Sequence, residues 1–416
     1  MIAIVGAGVT GLALAHELAR RGVEHVVLEA AERPGGVIRS GRVDGHLLDW
    51  GPQRTRLVGP VRALVAELGL EDEVVTAPAG LPLFVYHAGR LRRVPFSAAG
   101  FLRTDLLGPL EKARVLAEPL TAGPRPGERV AAYFTRKVGR AAYERLLGPL
   151  YGGLYASDPA DMEMELSLAH VLREFGIGRS LLLPLLRRGG SIDPPPAASF
   201  RAGMQALPDA LYHAHRANVR LGAPVREMVR TADGYRLSLD GGDVDARQVV
   251  VTASPPAAAR LLGSMAPDAA GRIGSLTRNP LAVVHLHAET ELRGLGYQVS
   301  LAEPLATRGV TFNDSLFGRT GVYTAYLGGA KRPEVVEWSD ERIEETAVRE
   351  FREVTGYDSR AIAVARERMP AWDVSWRALR GLTLPPGLHL AANWESRPGI
   401  PGRLAQAKGL AERLAE

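Results

Sequence analysis

Apolar positions in the first thirty residues follow two different periods. The apolar run Ile2–Val5 predicts a short buried strand, and the leucines and alanines of residues 12–19 recur at helical spacing. Two arginines and Gly22 end this predicted helix, and residues 26–29 predict a second apolar strand. The pattern therefore indicates one strand–helix–strand unit of about thirty residues.

The remaining chain divides into segments of different period. Residues 56–75 have helical periodicity, 83–95 predict a hairpin, and helices are expected through about residue 188, before a proline-rich break at 191–196. A helix is predicted to open within residues 200–208 and to run to about 217. Further strands are predicted at 219–221, 225–229, 235–239, 248–253, 281–287, 310–312, 322–327 and 387–393, and further helices at 339–354 and from about 404.

The turn after the first strand carries the chemistry of a dinucleotide site. Gly6 permits a tight turn, Gly8 lets the backbone approach a pyrophosphate, and Gly11 lets the helix lie close to the sheet. The helix N-terminus offers N–H groups and its positive dipole end to the phosphates. Glu29, at the end of the second strand, is placed to accept hydrogen bonds from ribose hydroxyls.

The segment after Glu29 favours FAD over NAD. Arg33, Gly35 and Gly36 follow the second strand, with Arg39 close behind, and this arrangement resembles the FAD-dependent amine oxidase and desaturase superfamily. The resemblance implies that these residues line the FAD pyrophosphate. Gly51 and Pro52 resemble the glycine turn of that superfamily beside the isoalloxazine ring.

Four later stretches resemble the protoporphyrinogen oxidase family, including its coproporphyrinogen-oxidising branch. The first is 150–159, with Gly-x-Tyr-x-x-Asp-Pro character, and the second is 200–208, with Phe-x-x-Gly-Met-x-x-Leu character. The third is 326–330, with a glycine pair, and the fourth is 387–393 together with 399–401. The resemblance runs over most of the chain and implies further cofactor contacts. These are Val225, Asn393, Gly399 and Ile400.

The resemblance implies an α/β fold: a discontinuous FAD-binding Rossmann-type domain, a mixed-sheet substrate domain and a helical insertion. We expect the FAD-binding domain to comprise residues 1–79, 199–270 and 379–416. The helical domain, for substrate and membrane contact, is expected at 80–198, and the substrate-binding sheet domain at 271–378.

The resemblance also implies the reaction. A porphyrinogen, either protoporphyrinogen IX or coproporphyrinogen III, would pass hydride to flavin N5, and oxygen would reoxidise the flavin with release of hydrogen peroxide. Such chemistry needs positioning more than a strong base, so no side chain is assigned a catalytic role. The propionate groups of the substrate need cations, for which Arg92, Arg93, Arg103 and Arg54 are candidates.

Two departures from the family pattern keep alternatives open. Ala392-Asn393 replaces the usual Gly-Asn, and residues 372–376 replace a Tyr and Gly-His region. Another flavin oxidoreductase, an amine oxidase or a carotenoid desaturase, would share every FAD motif, and so would a non-catalytic flavin-binding protein. An aromatic cage formed by Trp372 and Trp376 would favour amine oxidation.

Composition and charge exclude several function classes. The 416 residues contain no cysteine, which excludes disulfides, thiolate catalysis and cysteine-ligated metals. Only four of the 51 basic residues are lysines, and the arginines are scattered without interleaved aromatic residues, so no nucleic-acid partner is expected. The ten histidines offer no metal site, because His213 and His215 face different sides of a predicted helix. His285 and His287 share one face of a predicted strand but have no third ligand nearby.

The expected location is the cytoplasm, with peripheral contact at the inner face of the membrane. Residues 1–5 lack the basic start of a signal peptide, and no apolar run reaches the length of a membrane-spanning helix. The apolar stretch 175–188, bordered by arginines, suits contact with acidic lipid. Ferrochelatase or another enzyme of heme synthesis is a candidate partner.

Overall fold

A computed structural model describes residues 1–167, 172, 178–183, 195–396 and 399–416. The chain forms two compact units. The first comprises Met1–Thr76, Pro195–Leu276 and Ala378–Glu416. The second comprises Ala77–Pro194 and Thr277–Arg377. Segments 80–198 and 271–378, which the sequence analysis separates into a helical and a sheet domain, thus fall largely within one unit.

The strands of the described residues are short in the first unit and longer in the second. They are β1 Ile2–Val5, β2 His25–Leu28, β3 Ser40–Val43, β4 His46–Asp49, β5 Thr55–Arg56, β6 Val74–Thr76, β7 Leu83–His87, β8 Arg90–Arg93, β9 Ala197–Phe200, β10 Val219–Arg220, β11 Glu227–Arg230, β12 Tyr235–Ser238, β13 Val244–Ala246, β14 Gln248–Val251, β15 Arg278–His287, β16 Gly296–Val299, β17 Thr307–Phe312, β18 Val322–Gly328, β19 Arg360–Pro370 and β20 Leu388–Leu390.

The α-helices of the described residues are α1 Val9–Ala19, α2 Gly59–Glu67, α3 Ala98–Arg103, α4 Pro109–Leu116, α5 Val130–Val138, α6 Arg140–Ala142, α7 Gly148–Tyr155, α8 Met164–Ser167, α9 Ala206–Ala214, α10 Pro255–Leu262, α11 Pro267–Gly274, α12 Asn313–Phe317, α13 Asp340–Thr355 and α14 Ile400–Ala415. A π-helical turn, Tyr143–Leu147, joins α6 to α7. Single 3-10 turns lie at Glu71–Glu73, Glu118–Leu120, Arg216–Asn218, Pro333–Glu337 and Val374–Leu379.

A five-stranded parallel sheet organises the first unit, in the order β10-β2-β1-β14-β20. Ile4 lies opposite Val27 on one side and Val250 on the other, and all three are fully buried. Strands buried on both faces are continuous apolar runs in parallel sheets, which is why the sequence pattern located them. The predicted α/β class is confirmed. The carboxyl ends of these strands meet along one edge, where ligands of such sheets bind.

Glycine turns set the starts of two helices in the first unit. The helix predicted to open within residues 200–208 begins at Ala206, after β9 ends at Phe200 and Gly203 turns the chain with φ +90°. The last helix begins at Ile400, earlier than the predicted start near Leu404, because Gly399 turns with φ +86° and a proline occupies the first helical turn. Apolar periodicity registers neither glycine turn.

The second unit is built on a seven-stranded mixed sheet, in the order β19-β15-β18-β17-β16-β7-β8. The predicted hairpin at 83–95 forms β7 and β8 and pairs with β16, so the helical insertion contributes two strands to this sheet. Helix α13 covers one face, where Phe351 belongs to the same buried apolar cluster as Val284 and Tyr323. A separate apolar cluster joins β7 to helices α4, α5 and α6.

In the described part of the chain, the structure contains no helix that is both long and apolar enough to cross a membrane. Of the stretch 175–188, predicted to contact lipid, only residues 178–183 are described. The rest of that prediction lies outside the described residues.

Candidate functional site

The turn between β1 and α1 is closed by its first and third glycines. Gly6 has φ +111°, a conformation that L side chains rarely adopt, and its N–H donates to the Leu28 carbonyl at 2.8 Å. A Cβ atom on Gly11 would lie 2.0 Å from the Gly6 carbonyl oxygen. Only glycine at position 11 therefore lets α1 approach the turn this closely.

Gly8 differs from Gly6 and Gly11, because no contact with the described residues explains its lack of a side chain. Its φ of −67° suits any residue, and a Cβ atom built on it would meet no atom within 4 Å. Gly8 is also the N-cap of α1, whose first turn has no side-chain cap and no acidic residue. Open space beside uncapped N–H groups is what a pyrophosphate requires, so this turn fits the phosphates of a dinucleotide.

Glu29 follows β2 and faces the same turn. Its carboxylate accepts hydrogen bonds from the Ala7 N–H at 2.6 Å and the Ala31 N–H at 2.9 Å. The neighbouring segment before Val225 runs alongside, since the Ala223 N–H donates to the Glu29 carbonyl at 2.7 Å. Val225 itself is buried, just before β11. The segment that leads to Val225, a predicted cofactor contact, thus passes the strand end that carries Glu29.

The glycine-pair loop, defined as residues 33–38, lies against the turn. The Gly35 N–H donates to the Ala7 carbonyl at 2.8 Å, and a Cβ on Gly36 would lie 3.2 Å from the Cα of Gly8. Arg33 does not extend away from this loop. Its guanidinium donates to loop carbonyls, namely those of Pro34 at 3.1 Å, Gly36 at 2.9 Å and Ile38 at 3.0 Å.

Gly51 is explained by another close backbone approach. A Cβ on Gly51 would lie 1.9 Å from the Val37 carbonyl oxygen, so the glycine turn packs onto the glycine-pair loop. Pro52 and Arg54 follow at the surface. Arg39 stacks over the Trp50 ring, with 4.4 Å between its Cζ and the ring centroid.

The C-terminal segment reaches the same sheet edge from β20. The Ala391 N–H donates to the Val251 carbonyl at 3.0 Å, and half-buried Asn393 follows. The buried Trp394 indole donates to the Ala253 carbonyl at 2.8 Å. Gly399 then turns the chain into Ile400 and α14.

Arg403 is a residue that the sequence analysis missed. It is buried in the first turn of α14 and donates to the Ala392 carbonyl and to Ser396 Oγ. Burial, opposed by the nearby Glu395, lowers its pKa to about 10. A signal was present, because Ile400, Arg403, Leu404 and Ala407 recur at the spacing of one buried helix face.

Strand order gives the direction in which a dinucleotide would lie. Glu29 follows β2, the glycine turn follows β1, and Asn393 follows β20, and the sheet runs β2-β1-β14-β20. A ligand whose ribose meets Glu29 and whose pyrophosphate meets Gly8 has its second half directed toward Asn393 and Ile400. The residues of the first unit therefore fit FAD along one continuous edge.

Three of the four cations predicted for the substrate, Arg92, Arg93 and Arg103, lie in the second unit, whereas Arg54 lies in the first. Arg92 and Arg93 are adjacent on β8, so their side chains lie on opposite faces of the hairpin. Arg92 is engaged by Asp105, with Nε 2.8 Å from Oδ2, and by the His87 carbonyl. The side chains of Arg93 and Arg103 are exposed, and their guanidinium groups make no ion pair or hydrogen bond with the residues that the structure describes.

The predicted histidine pairs do not form metal sites in the described residues, where no group of three or more candidate ligands occurs. His215 Nε2 lies instead 2.9 Å from His16 Nδ1, and His16 Nε2 lies 2.8 Å from Glu67 Oε2. Burial, followed by the charges of His16 and His25, lowers the pKa of His215. This chain of contacts links α1, α2 and the end of α9.

His285 should make the protein less stable in mild acid. Its Nδ1 lies 3.1 Å from Thr324 Oγ1, and burial, followed by Arg319, lowers its pKa to about 4. The folded state thus holds it neutral, while the unfolded state gains a proton below about pH 6.5. This contribution to stability is complete above pH 6.5 and falls by about 2 kcal/mol by pH 5.

Urea unfolding at pH 7.5 and pH 5.0 measures this loss. We expect His285→Gln to lose less stability than the wild type between the two pH values, because its side chain cannot take up a proton. Equal losses in both proteins would show that His285 does not contribute to the pH dependence.

Comparison with known proteins identifies a family and named relatives. The model of the family described as flavin containing amine oxidoreductase matches residues 9–407. The chloroplastic protoporphyrinogen oxidase of Nicotiana tabacum is 26% identical over 84% of this chain and 71% of its own length. The coproporphyrinogen III oxidase of Bacillus subtilis is 24% identical over 98% of this chain and 96% of its own length.

Solved structures give the same fold. A crystal structure from Exiguobacterium sp. 255-15, provisionally assigned as a protoporphyrinogen oxidase, has a TM-score of 0.81 at 24% identity and covers 100% of this chain and 98% of its own. A putrescine oxidase bound to putrescine has a TM-score of 0.73 at 17% identity, with 99% and 98% covered. At these identities the likeness shows the fold alone.

Proposed function

Because the chain belongs to the flavin-containing amine oxidoreductase family, we propose that it oxidises a porphyrinogen to the porphyrin in heme biosynthesis. The observation that carries the proposal is the extent of its similarity to porphyrinogen oxidases, which covers 84% of the chain for one named relative and 98% for another. The predicted family, the predicted FAD cofactor and the prediction of an oxidoreductase are confirmed.

The arrangement of Trp372 and Trp376 argues against the amine oxidase alternative. Their rings stack on each other, with centroids 5.4 Å apart and planes inclined by 22°, and their exposed fractions are only 7% and 3%. An amine cage needs two aromatic rings with room for the substrate between them. These two rings leave no such room, so this reason for preferring an amine substrate is removed.

The proposed reaction asks the chain mainly to bind and orient. When bound, FAD would supply the two-electron acceptor for each oxidation, and oxygen would take up those electrons as hydrogen peroxide. The pyrrole rings of the substrate stabilise the positive charge that develops on oxidation, so a strong protein base is not required. Glu29, Gly8 and the N-terminus of α1 would hold the adenosine and pyrophosphate end of the cofactor.

Anaerobic mixing tests the proposal directly. Protoporphyrinogen IX and coproporphyrinogen III are added separately to the FAD-loaded protein, while the visible absorption of the flavin and the fluorescence of the porphyrin are recorded. We expect bleaching of the flavin in the anaerobic mixture, and formation of porphyrin only after oxygen is admitted, because the full oxidation removes six electrons and each FAD accepts two. The ratio of kcat/KM, measured in the presence of oxygen, ranks the two substrates, and we place protoporphyrinogen IX first. Bleaching by a polyamine or a carotene, with none by either porphyrinogen, would overturn the proposal.

Arg93 and Arg103 are the described cations that we propose for the propionates. Arg93→Met and Arg103→Met should each raise KM about threefold to tenfold with little change in kcat, because a propionate contact persists into the transition state. Arg92→Met should instead lower stability, since Asp105 and the His87 carbonyl already engage this guanidinium. Arg90→Met, exposed on the same hairpin, is the matched control. An unchanged KM in both variants would exclude these arginines from substrate binding.

Contact with an anionic lipid surface is a further part of the proposal. Leucines in and around helices α3 and α4 are strongly exposed, including Leu102 at 65% and Leu110 at 87%. Exposed Arg103 directly follows Leu102, and exposed apolar side chains next to basic residues suit an anionic interface. Vesicles containing phosphatidylglycerol should pellet the wild type at low salt but not the Leu102→Ser/Leu110→Ser variant. Failure to pellet the wild type would remove the membrane contact.

A further inference from the structure

The glycine-pair loop is held from two sides by side chains that are far apart in sequence. Arg33 binds the carbonyls of Pro34, Gly36 and Ile38. Gln205 Nε2, at the start of α9, donates to the Pro34 carbonyl at 3.2 Å and to Asp209 Oδ1 at 2.7 Å. Three carbonyl oxygens of the loop beside the phosphate turn are therefore occupied by donors.

The orientation of the Gln205 amide is fixed by its surroundings. A flipped amide would place Oε1 against two acceptors, the Pro34 carbonyl and the Asp209 carboxylate. In the observed orientation Oε1 is buried with no hydrogen-bond partner among the described residues. Buried acceptors are rarely left unpaired. The unpaired Oε1 is unfavourable, so the two hydrogen bonds that Nε2 donates determine how the Gln205 amide is oriented.

A second set of contacts places Gln205 itself. Buried Asp49, at the end of β4, accepts through Oδ1 from the Ser40 hydroxyl and from the Met204 N–H at 3.0 Å. Ser40 Oγ in turn accepts from the Gln205 N–H at 3.0 Å. Gly203 makes this approach feasible, because a Cβ at that position would lie 2.5 Å from Ser40 Oγ.

We propose that Asp49, Ser40 and Gln205 form a positioning relay that sets the affinity for FAD without touching the cofactor. The relay joins the β3–β4 hairpin to α9 and, through the Pro34 carbonyl, to the loop that packs on Gly8. Without Gln205 the Pro34 carbonyl would keep only Arg33 as a donor, which leaves more negative partial charge beside the site of an anionic pyrophosphate. Displacement of this loop would also close the open space beside Gly8 that the pyrophosphate requires.

Titration of the apoprotein with FAD tests the relay. Gln205→Glu replaces the donor by an acceptor beside the Pro34 carbonyl and should raise the Kd for FAD at least about tenfold. Asp209→Asn keeps an oxygen acceptor for Gln205 Nε2 and is the matched control, expected to bind FAD as the wild type does. Asp49→Asn retains a carbonyl oxygen for Ser40 and Met204 and should bind more tightly than Asp49→Ala.

Leu211→Ala separates positioning from stability, because Leu211 is fully buried on the same helix α9 and takes no part in the relay. We expect this variant to lower the melting temperature of the apoprotein while leaving the Kd for FAD near the wild-type value. If Gln205→Glu and Leu211→Ala weaken FAD in the same proportion as they lower that temperature, the relay is merely structural and the proposal fails. The test rests on FAD as cofactor and not on the porphyrinogen, so a failed substrate assay leaves it intact.

Discussion

Substitution of alanine for two glycines of the same turn should have different effects on the apoprotein. Gly11→Ala should destabilise the apoprotein strongly and thereby abolish retention of FAD. Gly8→Ala should leave the apoprotein folded and nearly as stable as the wild type while weakening FAD binding. The two changes add the same methyl group three residues apart, so only their surroundings distinguish them.

The effect at Gly11 follows from backbone contact. The added Cβ would lie 2.0 Å from the Gly6 carbonyl oxygen, which no side-chain rotation can relieve. Overpacking of this kind costs about 1–3 kcal/mol when side chains can move, and we expect at least the upper value against a backbone atom. Helix α1 would have to move away from β1, which displaces the N–H groups that face the phosphates.

The effect at Gly8 comes from the ligand alone. Alanine fits its φ of −67° and meets no protein atom within 4 Å. The lower entropy of the unfolded chain should stabilise by about 0.4–1 kcal/mol, and the poorer N-cap should cost a similar amount. The methyl group would, however, occupy the space of the pyrophosphate. A penalty of about 1–3 kcal/mol corresponds to roughly 5- to 150-fold in Kd.

Urea unfolding of the apoproteins and fluorescence titration with FAD measure the two quantities separately. A Gly8→Ala protein that binds FAD with wild-type affinity would show that the pyrophosphate does not lie at this turn. A Gly11→Ala protein as stable as the wild type would mean that α1 can move away from the turn at little cost.

Local sequence signals predicted the site best where its residues lie close together in the chain. The turn at Gly6, the strand before it and the carboxylate at the next strand end follow from spacing alone, because strand, turn and helix are contiguous in the chain. The buried run Val249–Val251 was equally readable, since a strand covered on both faces needs only apolar residues. Such features depend little on the rest of the molecule.

Contacts between distant segments could not be predicted in this way. Gln205 and Pro34 are separated by 171 positions, and no period or motif links them. Arg33 was expected at the pyrophosphate because its charge suits an anion, yet it binds carbonyls of its own loop. Arg92 and Arg93 were both expected to contact the substrate, although the hairpin predicted at 83–95 already implies that adjacent side chains on β8 lie on opposite faces.

The composition of the chain makes another informative residue, Lys137, hard to recognise from the sequence. With only four lysines among 51 basic residues, the choice of Arg over Lys says little at most positions of this chain. Lys137 is an exception, because its side chain and that of Glu118 have no exposed surface. A buried lysine in a chain that otherwise uses arginine indicates a position where the larger, planar guanidinium does not fit.

The contacts of this pair show why either charge alone would be costly. Lys137 Nζ contacts the Glu118 carboxylate and donates to the Arg179 carbonyl at 2.6 Å. Glu118 also accepts from Ser180 Oγ at 2.6 Å and from the Leu181 N–H at 3.0 Å. Burial alone would raise the pKa of Glu118, but these hydrogen bonds, foremost that from Lys137, lower it below its ordinary value.

Removal of the lysine should therefore cost far more than removal of both charges. Lys137→Met leaves a buried carboxylate without its cation, and we expect a loss of about 3–5 kcal/mol in the free energy of unfolding. The double variant Glu118→Gln/Lys137→Met carries no charge and keeps an acceptor for the Leu181 N–H, so it should recover a large part of that loss. Lys137→Arg preserves the charge but adds volume in a closed space, which should cost about 1–3 kcal/mol.

Urea unfolding of these three variants at pH 7.5 separates charge from volume. If Lys137→Met and the double variant are equally unstable, the lost contacts, and not the unpaired carboxylate, account for the effect. A Lys137→Arg protein with wild-type stability would show that the site has room for arginine. In that case the lysine would reflect the composition of the chain and not the shape of its interior.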